Sequence, residues 1–271
     1  MCIIIKLTQR ILLLIVIVSA SIEGQGKNNS PYSLSRGLDM TIAGISGGLL
    51  LGSMLINYTP MNLNDIVSLK SGDVPDYDSK AIDNWSVSSI KMSDVLLFSS
   101  IAVPGLLMSD KEIRSDYRNF SLVWAQSLFL TLGFTNFTKV LVGRPRPYLY
   151  ADNASDDYKL KKDNKKSFFS GHTSISAVSW FLMASMYEDY RPESNILPYL
   201  WTSAFLVPAY TAYCRYDAGK HFPSDVIAGY LVGSTIGILV PKWYTKNNSK
   251  VNLSFVLQPT GKIKTRLAYE F

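Results

Sequence analysis

Two histidines, His172 and His221, are the only imidazoles in a chain of 271 residues, and each lies in a short polar cluster. In the first cluster, Ser170 and Gly171 directly precede His172 and an apolar stretch. Serine favours the N-cap of a helix, and glycine lets backbone amides come close to a ligand. Because free N–H groups at a helix N-terminus bind phosphate without a side-chain charge, this cluster predicts an anion site.

The second cluster combines Cys214-Arg215 with His221 and Asp225; five residues separate Arg215 from His221, and three separate His221 from Asp225. Since His221 and Asp225 are four apart, the carboxylate can accept the proton of one imidazole nitrogen. The other nitrogen is then free to attack an electrophile. Two simpler interpretations stay open: Arg215 forms an ion pair with Asp217 or Asp225, or Asp225 only stabilises the N-terminus of its helix.

A pair of basic residues precedes both histidine clusters. Six residues separate Lys139 from Arg146, and Pro147 follows. Arg146 offers a planar fork of donors for phosphate oxygens, whereas Lys139 offers a point charge. The pair therefore favours phosphate binding. The alternative for Lys139 is a side chain that only marks a membrane boundary.

Six apolar stretches predict the helices that must position these clusters. They are residues 38–57, 92–107, 120–142, 173–186, 196–213 and 226–240. Polar segments at 62–91 and 148–166 indicate loops between them. Alternating residues from 251 onwards, with a Pro-Thr-Gly turn at 259–261, predict a short β-hairpin. The expected fold class is all-α, with a helical domain over 38–245 and a C-terminal hairpin over 246–271.

The residue types at the start of the chain follow each other as they do in a secretory signal peptide. Lys6 and Arg10 precede an apolar run at 11–18, and the small residues Ser19 and Ala20 follow. This order predicts a signal peptide over residues 1–20 and a polar segment over 21–37, with an uncleaved anchor as the alternative. Removal of the signal would leave Cys214 as the one cysteine, so no internal disulfide is expected.

The composition narrows the class of partner. The chain is 47% hydrophobic and only 18% charged, which favours membrane association. Its net charge of +6 is not gathered in a long basic tract, so nucleic acid is not an expected partner. The positive charge fits an anionic small substrate or a lipid head group. A lysine cluster ahead of His172 could concentrate a phosphorylated substrate or could be a solvated loop; its members are Lys159, Lys161, Lys162, Lys165 and Lys166.

In chain order, the three clusters resemble the signature motifs of the type 2 phosphatidic acid phosphatase family, which includes acid phosphatases and vanadium haloperoxidases. The family pattern is Lys, six residues, Arg-Pro; then Pro-Ser-Gly-His; then Ser-Arg, five residues, His, three residues and Asp. Here Phe169 replaces the proline and Cys214 replaces the serine, which removes a good hydrogen-bond donor. Arg144 also precedes a proline, but only four residues separate it from Lys139, which does not fit the family spacing.

The resemblance implies a six-helix phosphatase bundle that hydrolyses a phosphate monoester or diphosphate of a lipid through a phosphohistidine. The implied nucleophile is His221, oriented by Asp225, and the implied general acid is His172. The implied substrate-binding residues are Lys139, Arg146, Ser170, Gly171 and Arg215. Because three cationic side chains would replace a metal ion, neither a metal nor another cofactor is expected.

The expected partners are a phosphorylated lipid, or a small phosphorylated substrate, and the membrane. Three alternatives stay open. They are a broad-specificity periplasmic acid phosphatase for soluble substrates, a vanadium-dependent haloperoxidase and a membrane protein that binds anionic lipid without turnover. Turnover is favoured, because binding alone would not need a paired base and nucleophile.

The resemblance also implies a bacterial cell envelope location, with the site facing the periplasm. A cleaved signal followed by three membrane crossings would instead place Lys139 in the cytoplasm. The conflict disappears if residues 92–107, which contain Pro104, or residues 38–57 do not span. It also disappears if the domain is a periplasmic globule.

Overall fold

The computed structural model describes residues 30–151 and 154–246 and the backbone of two strands nearer the C-terminus. The predicted signal peptide and the beginning of the polar segment lie outside the described residues. The strands β1 (Val251–Leu257) and β2 (Ile263–Tyr269) pair antiparallel, with Val251 opposite Tyr269 and Leu257 opposite Ile263.

Ten α-helices lie within the described part of the chain. They are α1 (Arg36–Leu55), α2 (Leu63–Val67), α3 (Asp76–Ser79), α4 (Val87–Ala102), α5 (Lys111–Ser115), α6 (Tyr117–Val142), α7 (Asp156–Lys159), α8 (Gly171–Tyr190), α9 (Leu197–Asp217) and α10 (Pro223–Tyr244). The all-α fold class is confirmed, but the number six is wrong. The six predicted stretches correspond to the six long helices, and four short helices form between them.

Local capping explains why the short helices were missed. At the start of α2, the Asn62 side chain accepts the N–H of Asp65, and the Asp65 carboxylate accepts the N–H of Asn62, both at 3.0 Å. At the start of α5, Asp110 accepts the N–H of Glu112 at 2.8 Å. Such caps satisfy the first N–H groups of a single turn. Single turns formed by such caps show no apolar periodicity, and that periodicity is the signal that predicted the long helices.

One long helix, α4, ends five residues before its predicted apolar stretch does. α4 ends at Ala102, and a 3₁₀ helix continues over Val103–Ser109. Pro104 has no N–H group, and its ring clashes with the carbonyl of a preceding turn. The tighter 3₁₀ turn therefore replaces the α-helix at this point.

α8 is the central helix of the bundle, and α10 packs against it through glycines. Gly229, Gly233 and Gly237 share one face of α10 because they are four residues apart. A Cβ atom on Gly233 would lie only 2.2 Å from the carbonyl oxygen of Ser174 and 2.8 Å from the Cβ of Ala177. Absence of a side chain thus lets the two backbones come together, as small residues do at helix interfaces in membranes.

This contact brings the three polar clusters to one end of the bundle, named here the site end. The N–H of Ser170, before α8, donates to the carbonyl oxygen of Asp225 in the first turn of α10 at 3.0 Å. At the C-terminus of α6, Lys139 Nζ donates to the carbonyl oxygen of Lys166 at 2.8 Å. At the opposite end, the Tyr244 hydroxyl donates to Asp39 at 2.6 Å and joins the end of α10 to the start of α1.

Among the described residues, three helical segments are long and apolar enough to cross a membrane: Arg36–Leu55, Val87–Ser109 and Pro223–Tyr244. They support membrane association. The first two segments overlap residues 38–57 and 92–107, one of which was expected not to span if the site faces the periplasm. Length and hydropathy therefore do not favour that expectation.

The glycine contact predicts an asymmetric response to the same substitution. Gly233→Ala adds a Cβ that meets the backbone of α8, so we expect the free energy of unfolding to fall by about 1–3 kcal/mol. Gly44→Ala, in α1, is the control, because no atom lies within 4 Å of its new Cβ. That change should leave stability equal or raise it by up to about 1 kcal/mol. Thermal unfolding in detergent compares them, and equal midpoints would contradict the packing.

Candidate active site

The site end collects every residue that the sequence clusters predicted for chemistry. α6 supplies the lysine of its last turn, and the segment that follows α6 supplies an arginine. The N-terminus of α8 supplies a cap and a histidine, and the end of α9, the loop after it and the start of α10 supply the rest. These residues are Lys139, Arg146, Ser170, Gly171, His172, Arg215, His221 and Asp225. The charges of Arg146 and Arg215 act on both imidazoles. The two histidines therefore share one electrostatic environment.

His221 is buried in the loop before α10, with 1% of its surface exposed. Its Nε2 lies 3.3 Å from Nη1 of Arg146. Burial first, and then the positive charges of Lys139 and Arg146, hold the pKa of His221 well below its ordinary value. The ring is therefore neutral near neutral pH, which is the protonation state that a nucleophile requires.

The expected hydrogen bond from His221 to Asp225 is not formed. His221 Nδ1 and Asp225 Oδ2 are 3.7 Å apart, beyond hydrogen-bond range, and Nδ1 has no other partner among the described residues. Asp225 Oδ2 instead accepts the hydroxyl of Ser167 at 2.5 Å and the N–H of Phe222 at 2.9 Å. The carboxylate thus lies beside the imidazole, while its hydrogen bonds hold the loops that flank it.

Arg144, which the family spacing had set aside, is part of this arrangement. Its Nη1 donates to Asp225 Oδ1 at 2.7 Å and to Ser224 Oγ at 2.8 Å, and its Nη2 donates to Asp78 Oδ2 at 2.7 Å. Asp78 is fully buried and also accepts the N–H of Ser224 at 2.9 Å. Arg144 therefore joins α3 to α10 through two carboxylates. The one sequence signal for the role of Arg144 was the run of two consecutive Arg-Pro pairs.

The other two guanidinium groups are also fixed. Arg146 donates from Nη2 to Asp163 Oδ2 at 2.8 Å and from Nη1 to the carbonyl oxygen of Lys220 at 3.0 Å. Arg215 donates from Nη1 to Ser93 Oγ in α4 at 3.1 Å, and its buried Nε has no partner among the described residues. Its partner is therefore a serine and not the carboxylate of Asp217 or Asp225. That leaves part of the charge of Arg215 available to an anion.

The N-terminus of α8 has the predicted cap. Ser170 Oγ accepts the N–H of Thr173 at 3.4 Å and its hydroxyl at 2.9 Å. His172, two positions after the cap, is partly exposed, and its Nε2 lies 2.8 Å from Asp94 Oδ1 in α4. Asp94 lies outside all three sequence clusters, and its neighbours in sequence carried no signal for this contact.

Lys220, next to the buried imidazole, lies in a cage of three aromatic rings. Its Nζ is 3.6 Å from the ring centre of Tyr158, 4.8 Å from that of Tyr148 and 5.8 Å from that of Trp85. Burial, followed by the charges of the two site arginines, lowers the pKa of Lys220 to about 6. The ring faces favour its charged form. An anion bound beside Arg146 would favour that form further.

This environment predicts proton uptake when phosphate binds. Lys220 is largely neutral above about pH 6, and a bound anion would raise its pKa, so phosphate affinity should fall as pH rises, by at most about tenfold per unit. Titration calorimetry with inorganic phosphate, in buffers of different ionisation enthalpy, measures the protons taken up. Lys220→Met should reduce that number. Lys162→Met, at an exposed lysine of the polar segment that contains Tyr158, is the control and should not. Equal uptake in the wild type and Lys220→Met would contradict this assignment.

Comparison with known proteins places the site region in a family. The family model of the PAP2 superfamily matches residues 121–249, a range that contains all three clusters. A PA-phosphatase related-family protein of Dictyostelium discoideum is 30% identical over 131 residues, which cover 46% of this chain and 48% of that protein. Phospholipid phosphatase 1 of Rattus norvegicus is 28% identical over 134 residues, which cover 41% of this chain and 47% of that protein. The chain thus spans about half the length of these curated relatives. No solved structure matches it.

Proposed function

Because residues 121–249 match the family model of the PAP2 superfamily, we propose that the chain is a phosphatase that hydrolyses a phosphate monoester or diphosphate of a lipid. The observation that carries the proposal is the arrangement at the site end. A neutral, buried His221 and a second histidine lie within the field of Arg146 and Arg215. Two relatives are named as a PA-phosphatase related protein and a phospholipid phosphatase, which supports a phosphorylated lipid as the substrate.

The phosphate would be bound by the cations and by the N-terminus of α8. Lys139, Arg146 and Arg215 would offset the charge that spreads over the equatorial oxygens during phosphoryl transfer, and the amides that follow Ser170 and Gly171 would add neutral donors. Lys139 and Arg146 each donate a hydrogen bond to a backbone carbonyl oxygen, which supports this role. A doubly charged phosphate would replace a carbonyl as the stronger acceptor.

The chemistry would proceed in two steps. His221 Nε2 attacks phosphorus, the bond from phosphorus to the leaving oxygen breaks, and His172 gives that oxygen a proton. Water then attacks the phosphohistidine, His172 takes a proton from it, and inorganic phosphate leaves while His221 is regenerated. Asp225 lies beside Nδ1 of His221 and would stabilise the positive ring that exists in the intermediate.

An apolar groove supports a lipid substrate. The groove, about 240 Å³, lies between α9 and α10 and begins at Val226, directly after the catalytic-cluster residue Asp225. Its other lining residues are Ala209, Ala212, Ile227, Tyr230 and Leu231. Ile227 and Leu231 are exposed on the outer face of α10, which is one of the three helices able to cross a membrane. A hydrocarbon chain could therefore lie along this groove while its phosphate occupies the site.

We place the site in a bacterial cell envelope, facing the periplasm. If all six long helices cross the bilayer, residue 30 and the site end lie on opposite sides, because α1, α4 and α6 separate them. A cleaved signal peptide and a periplasmic site then require that the bundle crosses with fewer helices. Reporter fusions within residues 62–91, which reach the site end through Asp78, decide the side. Reporter activity that indicates a cytoplasmic location for residues 62–91 would contradict the periplasmic placement.

Phosphate release from phosphatidic acid in the presence of EDTA tests the proposed function. We expect the wild type to remain active, because cationic side chains take the role of a metal ion. His221→Ala should lose at least about 1000-fold in kcat, since it removes the nucleophile, but should retain lipid binding. Rapid quenching with labelled substrate in alkaline denaturant, in which phosphohistidine is stable, should trap phosphoenzyme in the wild type alone. Binding without hydrolysis by the wild type would favour a non-catalytic lipid-binding protein.

A further inference from the structure

α4 supplies a carboxylate to the site from outside the matched family segment. Asp94 lies in the second turn of α4, well before residue 121, where the family match begins. Its Oδ1 is 2.8 Å from Nε2 of His172. At this distance the two groups share a hydrogen bond, and with an ionised carboxylate the proton belongs to Nε2. Nδ1 is then the imidazole nitrogen left for proton transfer.

The position of Asp94 follows from the packing of its helix. The adjacent Ser93 is fully buried and accepts a hydrogen bond from Arg215 of α9. One turn earlier, the Ser89 hydroxyl donates to Asp217 at 2.6 Å. Two turns later, Ser100 Oγ lies 2.9 Å from Ser176 Oγ of α8. α4 is thus fixed to both α8 and α9, so the carboxylate is held at the imidazole by the fold.

The surroundings of His172 explain what the carboxylate does. Burial first, and then the positive charge of Arg215, lowers the pKa of His172, and Arg146 adds to the effect. The hydrogen bond and the negative charge of Asp94 raise it. A general acid must carry its proton into the transition state. Asp94 is therefore the neighbour that favours the protonated form of His172, which the reaction needs.

We propose that Asp94 is the positioning residue of the general acid: it holds His172 through Nε2 so that Nδ1 delivers the proton to the leaving oxygen. This inference rests on the proposed phosphatase function. It makes the reaction depend on α4, a helix that the three sequence clusters do not include.

The test compares substrates whose leaving groups differ in basicity. Asp94→Asn should slow the first step, the phosphorylation of His221 measured in a single turnover. We expect about a 10–100-fold loss for phosphatidic acid, whose alkoxide must be protonated, and less than about threefold for 4-nitrophenyl phosphate, whose aryl oxide leaves unprotonated. For the lipid, the loss of activity at rising pH should begin at lower pH in the variant, because removal of the carboxylate lowers the pKa of His172. Asp94→Glu should restore part of the activity on the lipid.

Asp217→Asn is the matched control. It also removes a carboxylate that binds α4, through Ser89, but contacts neither imidazole. It should show no dependence on the leaving group. An equal loss on both substrates in Asp94→Asn, with an unmoved pH profile, would overturn the role of Asp94 while the wild-type activity upheld the proposed function. A wild type inactive on both substrates would overturn the proposed function itself.

Discussion

The crowding of positive charge at one end of the bundle is the constraint on which the rest of the site depends. Like charges repel strongly where water is excluded, and each buried cation loses hydration. The cations are Lys139, Arg144, Arg146 and Arg215, and Lys220 joins them when it is protonated. Carboxylates offset part of this charge: the buried Asp78 and Asp225 bind one guanidinium, and the exposed Asp163 binds another. The remainder is satisfied by carbonyl oxygens and an aromatic cage, so a doubly charged anion is the ligand that best completes the site.

Such crowding needs a rigid frame, which the contact between α8 and α10 provides. Gly229 and Gly233 let the backbones approach, and the N–H of Ser170 then reaches the carbonyl oxygen of Asp225. This hydrogen bond joins the loop before His172 to the first turn of the helix after His221. The relative position of the two imidazoles is therefore set by the packing of main chains, which deform much less than long side chains do.

Local signals predicted the long helices and the convergence of the clusters, because apolar periodicity and caps act over one or two turns. The end of α6 at Val142 was predicted correctly, since Gly143 takes the left-handed conformation (φ 57°) that terminates a helix. Contacts between distant segments had no such signal. Asp78 reaches Arg144 over 66 residues, and Asp94 reaches His172 over 78. The hydrogen bond expected between His221 and Asp225 fails for the same reason, because Ser167, 58 residues away, occupies the carboxylate.

The two imidazoles need opposite protonation states within one cationic pocket. A nucleophile must be neutral, whereas a general acid must carry a proton, and shared surroundings would lower both pKa values alike. The difference lies in the distance to the nearest carboxylate, which is 3.7 Å for Nδ1 of His221 and 2.8 Å for Nε2 of His172. Only the second is a hydrogen bond. A bound phosphate would add negative charge beside both rings, yet His172 would gain a proton first, because its carboxylate is already in contact. These two distances thus support the proposed roles of His221 as nucleophile and His172 as acid.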